Sequence, residues 1–188
     1  MEDEGKGQTY NNQASSTDYE SKIYDKGHLN PSTYGSTDDD KESTMTLTNI
    51  VPQVKDFNQK RWNKMEDCIK CVMDTFCKDN NDKIQGFVVT GAQPGNEKLN
   101  NKVNIPSTVW SAFCCYHPWT KTWIASAHWD DNVGSGPAYL QSHTLTDLYK
   151  KLGGANLFPQ TECPLDKKLG DQTANPKYKI TAQCKSCK

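Results

Sequence analysis

Two side chains near the start of the chain, Lys26 and His28, have the chemistry for attack at an anionic centre. Histidine has an unperturbed pKa of about 6.5 and acts as a general base near neutral pH. His28 follows Gly27 and precedes a proline by three residues, which predicts a strand end or turn rather than a helix. In an extended backbone Lys26 and His28 share one side, so a cation lies beside a base. This pair suits a substrate such as a phosphodiester.

A second group of chemically interesting residues comprises Asn58, Trp62 and Glu66, which follow one another at intervals of four. Asp56 is a suitable N-cap and residues 57–66 contain no Gly or Pro, so a helix is predicted. Residues four apart lie on nearly the same helix face, which aligns an amide, an aromatic ring and a carboxylate. An amide oxygen is an acceptable ligand of Mg²⁺, which takes few protein ligands and retains several waters. A nearby carboxylate suits the role of holding those waters.

Each of these residues also has an ordinary structural explanation. A histidine beside a glycine is most often structural, an asparagine at a helix start is most often a cap, and an exposed glutamate is usually only solvated. Their combination is more specific. Asp-Lys-Gly-His-Leu-x-Pro begins at Asp25, Thr-Asn-x-x-Pro-Gln begins at Thr48, and Asn-x-x-x-Trp-x-x-x-Glu begins at Asn58.

These three motifs together resemble the DNA/RNA non-specific endonuclease family, and within it the endonuclease-domain-containing 1-like proteins. The resemblance runs from about residue 19 to residue 164. It implies an α+β fold with an antiparallel sheet core, a ββα-metal active-site motif and flanking helices. It also implies metal-dependent hydrolysis of phosphodiester bonds in DNA and RNA without sequence specificity. The implied cofactor is Mg²⁺, with Mn²⁺ as the alternative ion.

The resemblance assigns roles to individual residues. His28 is expected to activate the attacking water, Asn58 to be the main protein ligand of Mg²⁺, and Glu66 to support the metal-bound waters. Lys26 stands where the family usually has arginine, so the charge is retained but the planar fork that grips phosphate is lost. The expected catalytic set is therefore His28, Lys26, Asn49 and Glu66, with Asn58 on the metal and Asp25 and Arg61 on the substrate.

Two other functions remain open at this stage. The formal net charge is −1, so the whole chain exerts no basic attraction on nucleic acid. The first is a catalytically silent, nuclease-like secreted binding or immune protein. It is favoured by this charge balance, by the lysine at position 26 and by the short stretch of 27 residues before His28. The short stretch before His28 is also explained if the domain is truncated at its N-terminus. The second alternative is a disulfide-rich structural module in which the motifs occur by coincidence.

The cysteine content predicts disulfides and an oxidising, extracellular compartment. Two Cys-x-x-Cys pairs leave a zinc site as the alternative. The first residues show no apolar signal sequence, and no apolar run approaches the roughly 20 residues of a membrane span, so no membrane partner is expected. The eight cysteines are Cys68, Cys71, Cys77, Cys114, Cys115, Cys163, Cys184 and Cys187.

The 188 residues suffice for one domain. We expect a flexible lead-in at 1–18, an endonuclease domain at 19–165 and a Lys/Cys-rich extension at 166–188, and the sequence does not predict the oligomeric state. Periodicity and turn residues predict the elements of the domain. These are a loop at 32–43, a strand at 45–50, a helix at 56–76, a buried central strand at 85–91, a polar loop at 92–101, a strand pair at 108–116 and 122–128, and a short helix capped by Thr144. The expected core aromatics are Phe87, Trp110, Phe113 and Trp123.

Overall fold

The first structural unit consists of two strands and the helix that follows them. The computed structural model describes residues 13–172. Strand β1 (Tyr24–His28) pairs antiparallel with β2 (Ile50–Val54). The chain then enters a π-helical turn (Phe57–Trp62) that continues as helix α2 (Asn63–Phe76). Two antiparallel strands followed by a helix form the expected ββα arrangement, and the helix predicted at 56–76 is confirmed.

The second unit is a three-stranded antiparallel sheet. Strands β3 (Gly86–Leu99), β4 (Val103–His117) and β5 (Thr122–Asp131) follow one another as a meander with β4 in the centre. The strand predicted at 85–91 is therefore an edge strand rather than a central one. It also continues through the stretch predicted as a polar loop at 92–101, with register shifts on either side of Pro94. A proline is tolerated there because it lies on an edge strand at a bulge.

Both faces of this sheet are covered. Phe57, Ile69 and Val72 of the helical segment pack with Phe113 on one face. Leu145 and Leu148 pack with Ala112 and Ala127 on the other. The structure confirms Phe113 as core, whereas Trp110 and Trp123 are partly buried and Phe87 is 50% exposed. Phe87 stacks on Trp123 at the edge of the sheet, with ring centroids 6.3 Å apart. An apolar run does not distinguish an edge strand from a central one, so its exposure could not be predicted.

Disulfides tie elements to both faces of β4. Cys114 and Cys115 are consecutive in this strand, so their side chains point to opposite faces. Cys115 is bonded to Cys77 at the end of α2, and Cys114 is bonded to Cys163 on the other side. All six described cysteines are disulfide-bonded, which agrees with the predicted disulfides and not with a zinc site. Cys184 and Cys187 lie outside the described residues.

Short helices complete the structure. Helix α1 (Asp38–Ser43) lies within the stretch predicted as a loop, because Thr37 and Asp40 form a capping box. Helix α3 (Leu145–Lys151) begins after Thr144 as predicted, and α4 (Leu169–Gln172) follows. Single 3₁₀ turns occur at Ser16–Tyr19, Ser32–Tyr34 and Leu47–Asn49.

Two local predictions were wrong. The strand predicted at 45–50 is mostly the 3₁₀ turn, because the Asn49 side chain bonds the backbone of neighbouring loops, a pattern that competes with strand pairing. Asp56 does not cap the helix with its side chain. It lies in the helix and forms a salt bridge to Lys60, four residues on, with Oδ1 2.9 Å from Nζ.

The end of the expected lead-in is packed against the sheet. Asp18 accepts a hydrogen bond from Nζ of Lys102 at 2.9 Å, and its carbonyl accepts one from the Asn100 side chain at 3.0 Å. Residues 1–12 and 173–188 lie outside the described part, so the domain boundaries at 18/19 and 165/166 stay predictions. Over residues 13–172 the architecture is α+β with antiparallel sheets. No helix in that range is long and apolar enough to cross a membrane.

Candidate active site

An open pocket of about 300 Å³ lies where β1 meets the helical segment. It brings together three of the residues singled out by the sequence: His28, Asn58 and Glu66. His28 comes from the end of β1, Asn58 from the π-helical turn and Glu66 from the first turns of α2. A histidine, an amide and a carboxylate thus share one water-accessible cavity. The other residues lining it are Pro31, Ser32, Thr33, Gln59 and Asn63.

Gln53 contacts the backbone that carries His28 and supports it. The Gln53 side chain is fully buried, and its Nε2 lies 3.5 Å from the carbonyl oxygen of His28, to which it donates. It packs directly on Gly27, where a Cβ would overlap the Gln53 amide. Gly27 of the first motif and Gln53 of the second motif are therefore in direct contact. Burial lowers the pKa of His28, so the imidazole is neutral at pH 7 and can accept a proton.

Asn49 connects the loop that follows His28 with the end of helix α1. Its Oδ1 accepts from the backbone N–H of Asn30 at 2.8 Å, and its Nδ2 donates to the carbonyls of Asn30 and Thr44, both at 2.9 Å. Its own carbonyl accepts from the N–H of Leu29 at 2.8 Å. Asn49 is not among the residues lining the pocket. Its hydrogen bonds suit a positioning residue rather than the catalytic residue we expected.

The π-helical turn determines which helical side chains reach the pocket. Residues five apart face the same way in a π-helix, so Asn63 joins Asn58 at the pocket wall. Trp62, which we expected on the same stripe as Asn58 and Glu66, is instead buried in the core at 2% exposure. π-Helical turns occur frequently at functional sites.

Asp25 lies behind Asn58 and fixes its orientation. Its Oδ2 accepts from Nδ2 of Asn58 at 3.2 Å and from Nε2 of Gln59 at 2.6 Å. A carboxylate without a proton can only accept, so the nitrogen of the Asn58 amide faces Asp25 and the oxygen faces away from it. Asp25 was expected to bind substrate, but its carboxylate is engaged by these two amides.

Glu66 is unusual because its carboxyl group is largely buried at the pocket wall. Burial raises the pKa of Glu66 to about 8, the charge of Asp67 adds to the rise, and the Trp62 indole opposes it. The Trp62 Nε1 is buried, and its interaction with the Glu66 carboxyl favours the charged form. The Tyr34 hydroxyl is buried and has no hydrogen-bond partner within residues 13–172. Burial also raises the pKa of Tyr34 well above its ordinary value, with the nearby charges of Glu66 and Asp67 contributing.

The donor set of this pocket fits a cation that keeps most of its water. Within the described residues, no three His, Cys, Asp or Glu side chains converge as metal ligands, so a protein-only coordination shell of such groups is not formed there. Mg²⁺ does not need one, since it commonly takes one or two protein oxygens and retains its waters. Asn58 offers an oriented amide oxygen, and Glu66 offers a carboxyl group whose charged form a bound cation would favour by lowering its raised pKa. The Tyr34 hydroxyl, which has no partner within residues 13–172, is suited to ordered water.

Lys26 and Arg61 do not reach this pocket. Nζ of Lys26 donates to Oγ of Ser16 at 3.0 Å and lies 6.0 Å from the centroid of the Tyr19 ring. The structure thus places Lys26 against Ser16 and Tyr19, whereas His28 lines the pocket.

Arg61 was expected to contact substrate, and the structure places it in the interior of the protein. The residue is 3% exposed, and its Nε donates to Oδ2 of Asp130 at 2.5 Å. Its guanidinium also donates to the carbonyl of Val133 at 2.6 Å and lies over the Phe57 ring.

Sequence reasoning missed the small polar residues of the pocket. Ser32, Thr33, Gln59 and Asn63 line it, and none was singled out. The signal for Gln59 and Asn63 was their place one and five residues after Asn58, which is informative only once a π-helical turn is known. Ser32 and Thr33 belong to a 3₁₀ turn inside a stretch that was predicted as an unstructured loop.

Comparison with known proteins shows which sequences this chain resembles. The sequence profile of the family described as DNA/RNA non-specific endonuclease matches residues 2–129, more than half of the chain. The human Endonuclease domain-containing 1 protein is 30% identical over 106 residues, which cover 56% of this chain and 20% of that protein. The Nuclease of Serratia marcescens is 28% identical over 138 residues, which cover 69% of this chain and 49% of that protein. The chain thus spans half or less of the length of these relatives.

A solved structure shares the fold. A chain of the EndoG/EndoGI complex aligns with a TM-score of 0.53 at 17% identity, covering 76% of this chain and 64% of that chain. All three site-forming motifs, from Asp25 to Glu66, lie inside the range that the family profile matches.

Proposed function

The chain belongs to the DNA/RNA non-specific endonuclease family, and on that premise we propose that it hydrolyses phosphodiester bonds of DNA and RNA with the help of a divalent metal ion. The observation that carries the proposal is the meeting of His28, Asn58 and Glu66 in one open pocket. Their chemistry matches the needs of the reaction. These are a base for water, an oxygen ligand for a cation and a carboxylate to order water.

His28 is the general base of this proposal. Its neutral imidazole takes a proton from a water molecule as that water attacks phosphorus. The bond from phosphorus to the 3′ oxygen breaks, and the leaving oxygen takes up a proton from solvent. The lowered pKa of His28 supports this role because it keeps the base unprotonated at neutral pH.

Asn58 and Glu66 make up the proposed metal site. The Asn58 amide oxygen would hold Mg²⁺ directly, with Mn²⁺ as an alternative. Glu66, whose ionised form the charge of the ion would favour, would accept hydrogen bonds from waters on the ion. When bound, the ion supplies positive charge for a phosphate oxygen and for the leaving oxygen. Asp25 orients Asn58 for this task, and Asn49 holds the loops around His28.

The shape and chemistry of the pocket support the proposed substrate class. Its lining consists mainly of small hydroxyls, amides and one histidine, which suit contacts to phosphate and sugar rather than to base edges. Such contacts carry little sequence information, so both DNA and RNA are proposed as substrates. The disulfides of the six described cysteines support an oxidising compartment, and we propose that the protein acts outside the cell.

The test is cleavage of supercoiled plasmid and of RNA, each with Mg²⁺ and with EDTA. We expect cleavage only with the metal and a loss of roughly 10²- to 10⁴-fold in His28→Ala, the usual size of a general-base contribution. His143→Ala is the control, since His143 stacks on Trp129 and does not line the pocket. Folded protein that cleaves neither substrate would instead favour a silent, nuclease-like binding protein.

A further inference from the structure

We infer that Met45 is a positioning residue whose thioether holds the general base His28 in one tautomer, with the proton on Nε2 and the lone pair on Nδ1. Sδ of Met45 lies 3.1 Å from Nε2 of His28. This inference rests on the proposed function, because it concerns the residue that takes the proton in that reaction. Met45 carried no role in the sequence motifs.

The chemistry of sulfur determines which nitrogen carries the proton. A thioether has no hydrogen to donate and accepts only weakly. A hydrogen bond between Sδ and Nε2 therefore requires the proton to be on Nε2. In a neutral imidazole the other nitrogen, Nδ1, then carries the lone pair and can accept a proton. The tautomer of a catalytic histidine is generally set by the hydrogen bond that its other nitrogen makes.

A weak acceptor suits this base better than a carboxylate would. A carboxylate on Nε2 would stabilise the imidazolium and favour a protonated histidine at neutral pH. The thioether selects a tautomer without adding charge. Burial lowers the pKa of His28, which further disfavours the protonated form. His28 is thus oriented and kept neutral at the same time.

Met45 is not placed there by core packing. It is 57% exposed and belongs to neither of the two clusters of buried apolar residues. It lies between the end of α1 and the 3₁₀ turn Leu47–Asn49. Since burial explains little of its position, the contact with His28 is its most specific interaction.

Asn49 holds the backbone on both sides of this contact. It bonds the carbonyl of Thr44, which directly precedes Met45, and both backbone groups of Asn30, two residues after His28. One side chain thereby joins the loop that carries the thioether to the loop that carries the imidazole. Removal of the Asn49 amide is expected to loosen the same contact.

The first measurement is the tautomer of His28 by NMR of protein labelled with ¹⁵N in histidine. In the wild type at a pH above the pKa of His28 we expect the proton mainly on Nε2. In Met45→Leu, which keeps the size but removes the acceptor, the share of the Nδ1–H form rises. In Met45→Gln the amide oxygen accepts the Nε2 proton, and the wild-type ratio returns. An unchanged ratio in Met45→Leu would overturn the inference.

The second measurement is plasmid cleavage by the same variants. Met45→Leu should lower kcat roughly three- to tenfold, in keeping with loss of one weak hydrogen bond, while KM stays unchanged. Met45→Gln should recover most of that loss. The control is Met73→Leu, the same exchange in a methionine that packs against Gly86 of β3. A Gln variant as slow as the Leu variant would mean that the thioether matters for shape and would also overturn the inference.

The two measurements separate this inference from the proposed function. The NMR ratio reports the contact between Met45 and His28 even if no variant cleaves nucleic acid. Absence of cleavage in the wild type, with a tautomer ratio that moves in Met45→Leu, contradicts the nuclease function and leaves the contact established.

Discussion

The Asp25 carboxylate fixes the direction of the Asn58 amide. Nδ2 of Asn58 donates to Oδ2 of Asp25 at 3.2 Å, across a separation of 33 residues that joins the first strand to the π-helical turn. The oxygen of the amide is thereby left for the pocket. A ligand whose orientation is set before the metal arrives binds it more tightly than one that must rotate into place.

Replacing Asp25 with alanine should weaken metal binding. Groups that orient a metal ligand typically contribute 10- to 100-fold in affinity, so we expect the Mg²⁺ concentration for half-maximal cleavage to rise by about that factor. Calorimetric titration with Mg²⁺ checks the affinity independently of cleavage. Asp56→Ala is the matched control, because Asp56 lies near the same helix start in an exposed pair with Lys60. Equal Mg²⁺ affinity in the Asp25 variant and the control would refute the orienting role.

Replacing Gly27 with alanine should destabilise the protein and disturb the site. The added Cβ overlaps the Gln53 side chain, which is fully buried. Overpacking of this kind typically costs about 1–3 kcal/mol, which a shift in the urea midpoint reports. Gly134→Ala is the control, since its nearest atoms would lie 3.7 Å and 3.9 Å away. Similar midpoints for the two variants would contradict the close packing at Gly27.

The sequence identified the chemical groups of the site because chemistry depends on residue type. His28, Asn58 and Glu66 were found from types and spacing, and the helix that carries two of them has a regular apolar pattern. The direction of the other side chains depended on geometry that spacing does not encode. The π-helical turn brings Asn63 to the pocket, and the interior position of Arg61 depends on its long-range partner Asp130.

The fold shows the same division between local and long-range information. Helices α2 and α3 were predicted because their apolar spacing and the Thr144 cap are local signals. The place of β3 at the edge of its sheet depends on which strands pair, and an apolar run such as 85–91 carries no information about that. The role of Asn49 was also hidden, because its partners at Asn30 and Thr44 are set by tertiary structure.

Replacing Arg61 with leucine should destabilise the protein strongly. Arg61 pairs with Asp130 and donates to the Val133 carbonyl, so it ties the π-helical turn to the end of β5. Loss of Arg61 leaves the partly buried Asp130 carboxylate without its charged partner. Breaking a buried pair in this way typically costs about 3–5 kcal/mol. The partial exposure of Asp130, 26% of its side chain, places the expected cost at the lower end. Chemical denaturation measures it.

The adjacent lysine provides the control for Arg61. Lys60 pairs with Asp56, and both side chains are more than half exposed. Exposed pairs contribute about 0–1 kcal/mol, so Lys60→Ala should leave the free energy of unfolding nearly unchanged. A comparable loss in both variants would show that the burial of the Arg61 pair has no energetic consequence.

His128 should make the stability of the protein fall in mild acid. The residue is fully buried, and within the described part of the chain neither ring nitrogen has a hydrogen-bond partner. Burial lowers the pKa of His128 to about 3, and the neighbouring His143 adds to this shift. The unfolded chain has a histidine pKa of about 6.5, so it binds a proton that the folded protein does not. Stability therefore falls as the pH drops from about 6.5 towards 3 and is unaffected above that range.

Replacing His128 with leucine should remove this part of the acid sensitivity. Between pH 7 and pH 5 the proton bound by the unfolded chain costs the wild type about 2 kcal/mol, calculated from the two pKa values. Urea denaturation at both pH values should show a drop that is smaller by about this amount in His128→Leu. The pKa values of His28, His117 and His143 are also lowered by burial, so some acid sensitivity persists in the variant. An identical drop in wild type and variant would mean that His128 takes up its proton in the folded state, and that its pocket opens to water.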